Sequence, residues 1–266
     1  MRKHFFALAA LMMALAPAVF AQRSDDPAKP EAEKTAESTP ALSFSPGLFG
    51  VAQHENDWYF EIPDSLLGRR ILSVTRYVSN TPGAGQYGGE EVTEHMIYWE
   101  KASNGNLLLR VDALTITADE DQEIYKAVKV SSENPIVASF KPEKNSPDGA
   151  TRIKVTSLFA GDNEVFAFSS RGKRQYNLGG TKGDASFIES IRTYPINTEV
   201  TVTKTYSYNA PAPSPGQMPS RGLPAGAEAG VVTFVLNTSM VLLPEVPMQP
   251  RLVDPRVGYF ADERLM

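Results

Sequence analysis

A mainly β fold, an antiparallel sandwich or partly open barrel with one short helix near 119–132, is the architecture this sequence predicts. Three observations carry it. Strand-like runs follow one another at a spacing of roughly ten residues, separated by Gly, Pro, Asn and Asp, which suits hairpins better than alternating βαβ units. Near the end, Thr198–Tyr208 alternates Val200 and Val202 with threonines, and Val231–Leu243 is a long β-branched run. Only Asp119–Ser132 reads as helix: Asp119, Glu120 and Asp121 complement a helix N-terminus, Ile124, Ala127 and Val128 form an apolar stripe, and Pro135 stops it.

The elements follow in order. Arg2 and Lys3, the apolar run Phe5–Leu15 and the small residues Val19 and Ala21 describe a signal peptide over residues 1–21, cut before Gln22. Pro17 ends that run short of the roughly twenty apolar residues a spanning helix needs. Residues 22–42 are charged, proline-broken and empty of large apolar groups, so they are expected to form a disordered tether. A small N-terminal β subdomain is expected over 43–100. It contains Trp58–Ile62, a turn at Pro63–Gly68, Arg70–Val78, a glycine-rich loop over 80–89, and His95–Glu100. Asn104-Gly105 then calls for a tight hairpin into Leu107–Thr117.

A main β domain is expected over 101–243. After the helix it holds strands at Ile136–Phe140, Arg152–Val155 and Val165–Phe168, with a short turn at Ser157–Ala160 and an ambiguous segment, helix or strand, at Ser186–Arg192. Residues 209–230 contain five prolines and four glycines and are expected to be a disordered insertion between the two last strands. Pro244, Pro247, Pro250 and Pro255 force 244–266 into an extended arm.

Composition limits the chemistry. The 266 residues carry 26 basic and 31 acidic side chains, for a net charge of −5, a balance that disfavours a phosphate-backbone partner. There is no cysteine, hence no disulfide framework and no thiol to acylate. The expected locale is outside the cytoplasm, periplasmic or extracellular, with the chain soluble after cleavage and without a transmembrane segment.

Several motifs begin and do not complete. His54-Glu55 opens an H-E-x-x-H zinc pattern, but Trp58 stands where the second imidazole belongs. Glu90, Glu91, Glu94 and His95 form an acidic cluster without Ca²⁺-loop spacing, best read as a solvated lead into a strand. Gly83-Ala84-Gly85-Gln86-Tyr87-Gly88 matches G-x-G-x-x-G, yet β-like rather than helical residues follow it. Arg171, Lys173 and Arg174 make one small basic knot, expected on a solvated loop. No G-x-S-x-G elbow is present. No catalytic residue and no metal ligand emerges from the sequence.

Four longer stretches resemble one family. They are Trp58-Tyr59-Phe60-Glu61-Ile62-Pro63-Asp64-Ser65-Leu66-Leu67-Gly68-Arg69, then Tyr87-Gly88-Gly89, then Ser186-Phe187-Ile188-Glu189-Ser190-Ile191-Arg192-Thr193-Tyr194-Pro195-Ile196-Asn197-Thr198-Glu199-Val200, and finally Met248-Gln249-Pro250-Arg251-Leu252-Val253-Asp254-Pro255-Arg256-Val257-Gly258-Tyr259-Phe260. Together they resemble the N-terminal region, two adjoining domains of unknown function, of large secreted bacterial zinc-dependent metalloproteases. In that family an H-E-x-x-H peptidase domain follows, so the resemblance implies a truncated or free-standing chain without cofactor of its own, zinc being held by the peptidase domain.

Two readings follow. The leading one is a non-catalytic accessory or scaffold domain whose partner is a C-terminal zinc peptidase domain, in cis or in trans. The arm, with Arg251, Asp254, Arg256, Tyr259 and Phe260, is the expected docking element at that junction, the bland alternative being that it covers its own sheet edge. The other reading is a cell-surface glycan- or protein-binding β module, motivated by Trp58, Tyr59, Tyr98 and Trp99 on β elements.

Overall fold

The computed structural model describes residues 43–113, 121–209, 228–246, 248, 249 and 256. The chain enters through β1 (Ser43–Ser45), β2 (Gly50–His54) and β3 (Asp57–Pro63), followed by a 3-10 turn at Asp64–Leu66. The long strands β4 (Ile71–Asn80) and β5 (Glu91–Lys101) come next, then β6 (Leu107–Val111), α1 (Tyr125–Ser131), β7 (Ile136–Phe140) and β8 (Ala150–Lys154). Two short helices, α2 (Thr156–Ala160) and α3 (Ser170–Gln175), precede β9 (Leu178–Thr181), β10 (Phe187–Thr193), β11 (Asn197–Tyr208) and β12 (Val231–Leu242).

The strands form two antiparallel sheets. The smaller runs β1-β2-β3-β8; the larger runs β10-β11-β12-β4-β5-β6-β7, with β9 also on β11. Mostly β and curled, the assembly is an antiparallel half-barrel, as expected. The 100/101 border expected between subdomains runs through the larger sheet, where β5 pairs β4 on one side and β6 on the other.

Alternation explains the spine of the sheet. β11 and β12 pair in continuous register from Asn197 opposite Val241 to Ser207 opposite Val231. Val200, Val202 and Tyr206 on one strand, with Val232, Phe234, Leu236 and Met240 on the other, are therefore buried on one face. The outer face keeps short polar groups joined laterally, Asn237 donating to the Thr201 hydroxyl and Ser239 to Glu199. That division is what a sheet with one wet face requires.

Two clusters fill the interior. The larger joins both sheets through Phe49, Phe60, Ile62, Ile71, Ile97 and Trp99. Each such side chain contributes about 1.5–3 kcal/mol when buried. The second, built on Tyr77, Phe168, Tyr206 and Phe234, lies toward the Tyr206 and Val232 end of the hairpin. Phe168 touches four aromatic rings at centroid distances between 4.8 and 6.0 Å.

Several local expectations are met. Gly68 and Gly105 adopt φ of +74° and +84°, and the Asn104-Gly105 turn closes the β5–β6 hairpin with Ala102 N–H donating to the Asn106 carbonyl at 2.8 Å. The ambiguous segment at 186–192 is strand, with a bulge between Ile188 and Ser190.

Others are corrected. Val165–Phe168 is buried, as an apolar run should be, but it is no strand. Asn163 intercepts its backbone through the side-chain oxygen to Val165 N–H at 2.9 Å, and the run enters the barrel as an irregular plug. The helix is shorter than 119–132, and α1 buries no residue; Ile124 remains 59% exposed. Helical period was present there, but among the described residues none of α1 is buried. Arg171, Lys173 and Arg174 sit on α3, whose N-cap Ser169 accepts from Gly172 N–H at 3.1 Å, not on a loop. The signal segment and the tether, most of the insertion, residues 114–120 of the expected helix and strand, and most of the arm lie outside the described residues.

Candidate functional site

The incomplete motifs stay incomplete in space. His54 and Glu55 form the β2–β3 turn, with Glu55 at φ +54° and Trp58 already in β3, so no helical face carries two imidazoles. Among the described residues no group of three His, Cys, Asp or Glu side chains gathers around a metal position. The G-x-G-x-x-G loop leads into a strand, and so lacks the helix N-terminus on which a dinucleotide pyrophosphate would rest. Glu94 and His95 project to opposite faces of β5. Lys173 is spent on Asp162 at 2.7 Å. Of the four aromatics, Trp58 and Trp99 pack on the large core, so they offer no open platform.

Two of the titratable groups at inward positions of the larger sheet are His95 and Lys204. His95 lies opposite Ser73, whose buried hydroxyl has no hydrogen-bond partner. Desolvation holds the imidazole below its ordinary pKa, so it faces Ser73 uncharged at neutral pH. Lys204 occupies an inward position on β11 between Val202 and Tyr206 and is fully buried. Its ammonium donates to the Gly161 carbonyl at the end of α2, and burial pushes its pKa down to about 8 despite Asp162 nearby. A charge on the inward face of an alternating strand is a signal the sequence carried. It fastens the α2–α3 segment to the sheet.

Among the described residues, four exposed apolar side chains lie near the end of β12. The β10–β11 turn places Tyr194 and Ile196 there, 45% and 61% exposed, and the chain leaving β12 adds Val246 and Met248, 84% and 81% exposed. Backbone bonds fix the position: Leu48 N–H donates to Tyr194 at 2.6 Å, Leu242 N–H to Ile196 at 2.9 Å, and Leu243 N–H to Arg70 at 3.1 Å. Arg69 then clamps the departing chain, bonding Glu245 at 2.6 Å and the Leu243 carbonyl at 3.1 Å. Of the expected docking residues, Arg256 is exposed in a turn, whereas Arg251, Asp254, Tyr259 and Phe260 lie outside the described residues.

At the opposite end of the hairpin, the 83–84 part of the glycine-rich loop forms one lip of a cleft of about 140 Å³ between that loop and residues 175–178. Its tyrosines, Tyr176 and Tyr208, are separated in sequence by β9, a 3-10 turn, β10 and nearly all of β11, and nothing in the linear sequence joined them.

Comparison with known proteins gives two matches. Residues 89–266 match the family described as Domain of unknown function (DUF5117), and residues 39–79 match Domain of unknown function (DUF5118). No curated protein and no solved structure matches the chain.

Proposed function

We propose, from the premise that this chain belongs to the DUF5117 family of domains of unknown function and carries a DUF5118 segment ahead of it, that it is a non-catalytic accessory domain of an exported zinc-dependent peptidase. Its task in this reading is to dock on and orient the peptidase domain, in cis or in trans. Zinc and the general base belong to that partner. The sequence resemblance motivates the choice of partner, and the succession of two adjoining domains agrees with it.

The observation that carries the docking role is the apolar end around Tyr194, Ile196, Val246 and Met248. Exposed apolar groups that gather at one end of a molecule mark an interaction surface more often than scattered ones do, and Tyr, Met and Arg are enriched at such surfaces. Arg69, through Glu245 and Leu243, sets the direction in which the chain departs. A pre-oriented departure lowers the ordering cost of docking.

The test mixes the purified chain with a zinc peptidase domain of the resembling family. Saturable association is expected, weakened by Ile196→Asp, together with no chelator-sensitive peptide hydrolysis by the chain alone. Turnover by the isolated chain, with zinc retained stoichiometrically, would overturn the reading.

A further inference from the structure

The cleft at the Tyr208 end has the chemistry of a ligand site. Its floor is core: Leu178, Val232 and Phe234, at 7%, 1% and 1% exposure. Its walls are Tyr176 and Tyr208, and its rim carries the carboxamides of Gln175 and Asn177. No charged side chain lines it, so an ionic ligand would lose hydration there without a counter-charge.

Size narrows the choice. An enclosed apolar cavity of about 150 Å³ binds benzene, and this open cleft of about 140 Å³ admits one ring with its edge substituents toward solvent. A purely hydrocarbon ring would leave the Tyr208 phenol and two carboxamides unused, and a proline ring has no hydroxyl to engage them. A ring with an apolar C–H face and hydroxyls at its edge uses both kinds of lining, since aromatic rings take the face and each carboxamide both donates and accepts.

The wall is held in place before any ligand arrives. The Tyr176 ring packs edge-on against Phe168 at 5.9 Å, and its hydroxyl accepts from Gln86 Nε2 at 3.0 Å. Backbone bonding fixes the rim as well, with Asn209 N–H donating to the Asn177 carbonyl at 2.8 Å.

We propose that this cleft binds one hexopyranose ring of an uncharged glycan, its apolar face between Tyr176 and Tyr208 and its hydroxyls on Gln175 and Asn177. The site lies a hairpin's length from the docking end, and it stands independently of the accessory-domain reading.

An NMR titration of the isotope-labelled full chain with glucose, galactose, mannose and N-acetylglucosamine tests it, with a proline-rich peptide titrated in parallel. At least one sugar should give saturable shifts at Asn177, Leu178 and Val232, with a Kd of the order of 1 mM, as befits a single ring. Tyr208→Ala and, at the exposed rim where folding is indifferent to it, Gln175→Ala should each weaken that binding about tenfold. The proposal is overturned if no sugar gives saturable shifts, if both variants bind as well as the parent, or if only the peptide binds.

Discussion

At one end of the β11–β12 hairpin, Tyr206, Val232 and Phe234 are sealed by Phe168, which enters from an irregular segment of the same chain. At the other, about 33 Å away along β11, Ile196, Val246 and Met248 face solvent. Both ends obey the same alternation and the same pairing, so secondary structure does not account for the difference. A half-barrel has open ends, and each must be closed by something other than its strands. Here the Val165–Phe168 plug closes one end internally, and closing the other is the work proposed for a partner.

Removing the plug breaks the contrast most severely. Phe168→Ala deletes a side chain 2% exposed that touches four rings. It should cost about 3–5 kcal/mol, read as a lowered urea midpoint. A loss below about 1 kcal/mol would mean that the end is not closed by this residue.

Lys204 fastens the same plugged end and gives the next largest effect. Its folded pKa, about 8, lies below the ordinary value of 10.5, so the fold releases this proton before the unfolded chain does. The Lys204 contribution to stability should therefore carry the full penalty of the buried charge below about pH 8, rise between about 8 and 10.5, and level off above. The total gain is roughly 3 kcal/mol. Lys204→Met should abolish that rise in pH-dependent denaturation curves. An unchanged slope in the variant would remove Lys204 as its source.

His95 acts at the acid side. Its depressed pKa means that the unfolded chain takes up the proton first, so stability present above the unfolded value of 6.5 should fall as pH drops through the folded pKa. His95→Gln should flatten that limb, and thermal midpoints across the acid range measure it.

The smallest effect on folding belongs to the open end. Ile196→Asp and Val246→Asp, on side chains already 61% and 84% exposed, should shift stability by less than about 0.5 kcal/mol. Urea denaturation of each variant checks this. A larger loss would mean that these groups serve the fold and not a partner.

Much of the larger sheet was legible in the residues. The threonine–valine alternation of 198–208 and the Asn104-Gly105 turn declare their partners locally, because strand period and hairpin chemistry are short-range. Val165–Phe168 looked like a strand because apolar β-prone residues look alike in a strand or a plug; what decided was the Asn163 side chain competing for the backbone. Ile124 and Val128 show the converse, a helical period whose helix buries no residue. The cleft was illegible, since Tyr176 and Tyr208 meet only once β9 has paired with β11. Lys204 could have been singled out, as the one cation at an inward position of a strand that otherwise buries Val200, Val202 and Tyr206.

Amide hydrogen exchange of the chain, alone and with a zinc peptidase domain, tests the docking claim most directly. Protection gained at Tyr194, Ile196 and Leu243–Val246, with none gained at Asn177, Leu178 and Val232, is the predicted result. Protection gained only at the Tyr208 end, or at neither end while the two proteins remain associated, would contradict it.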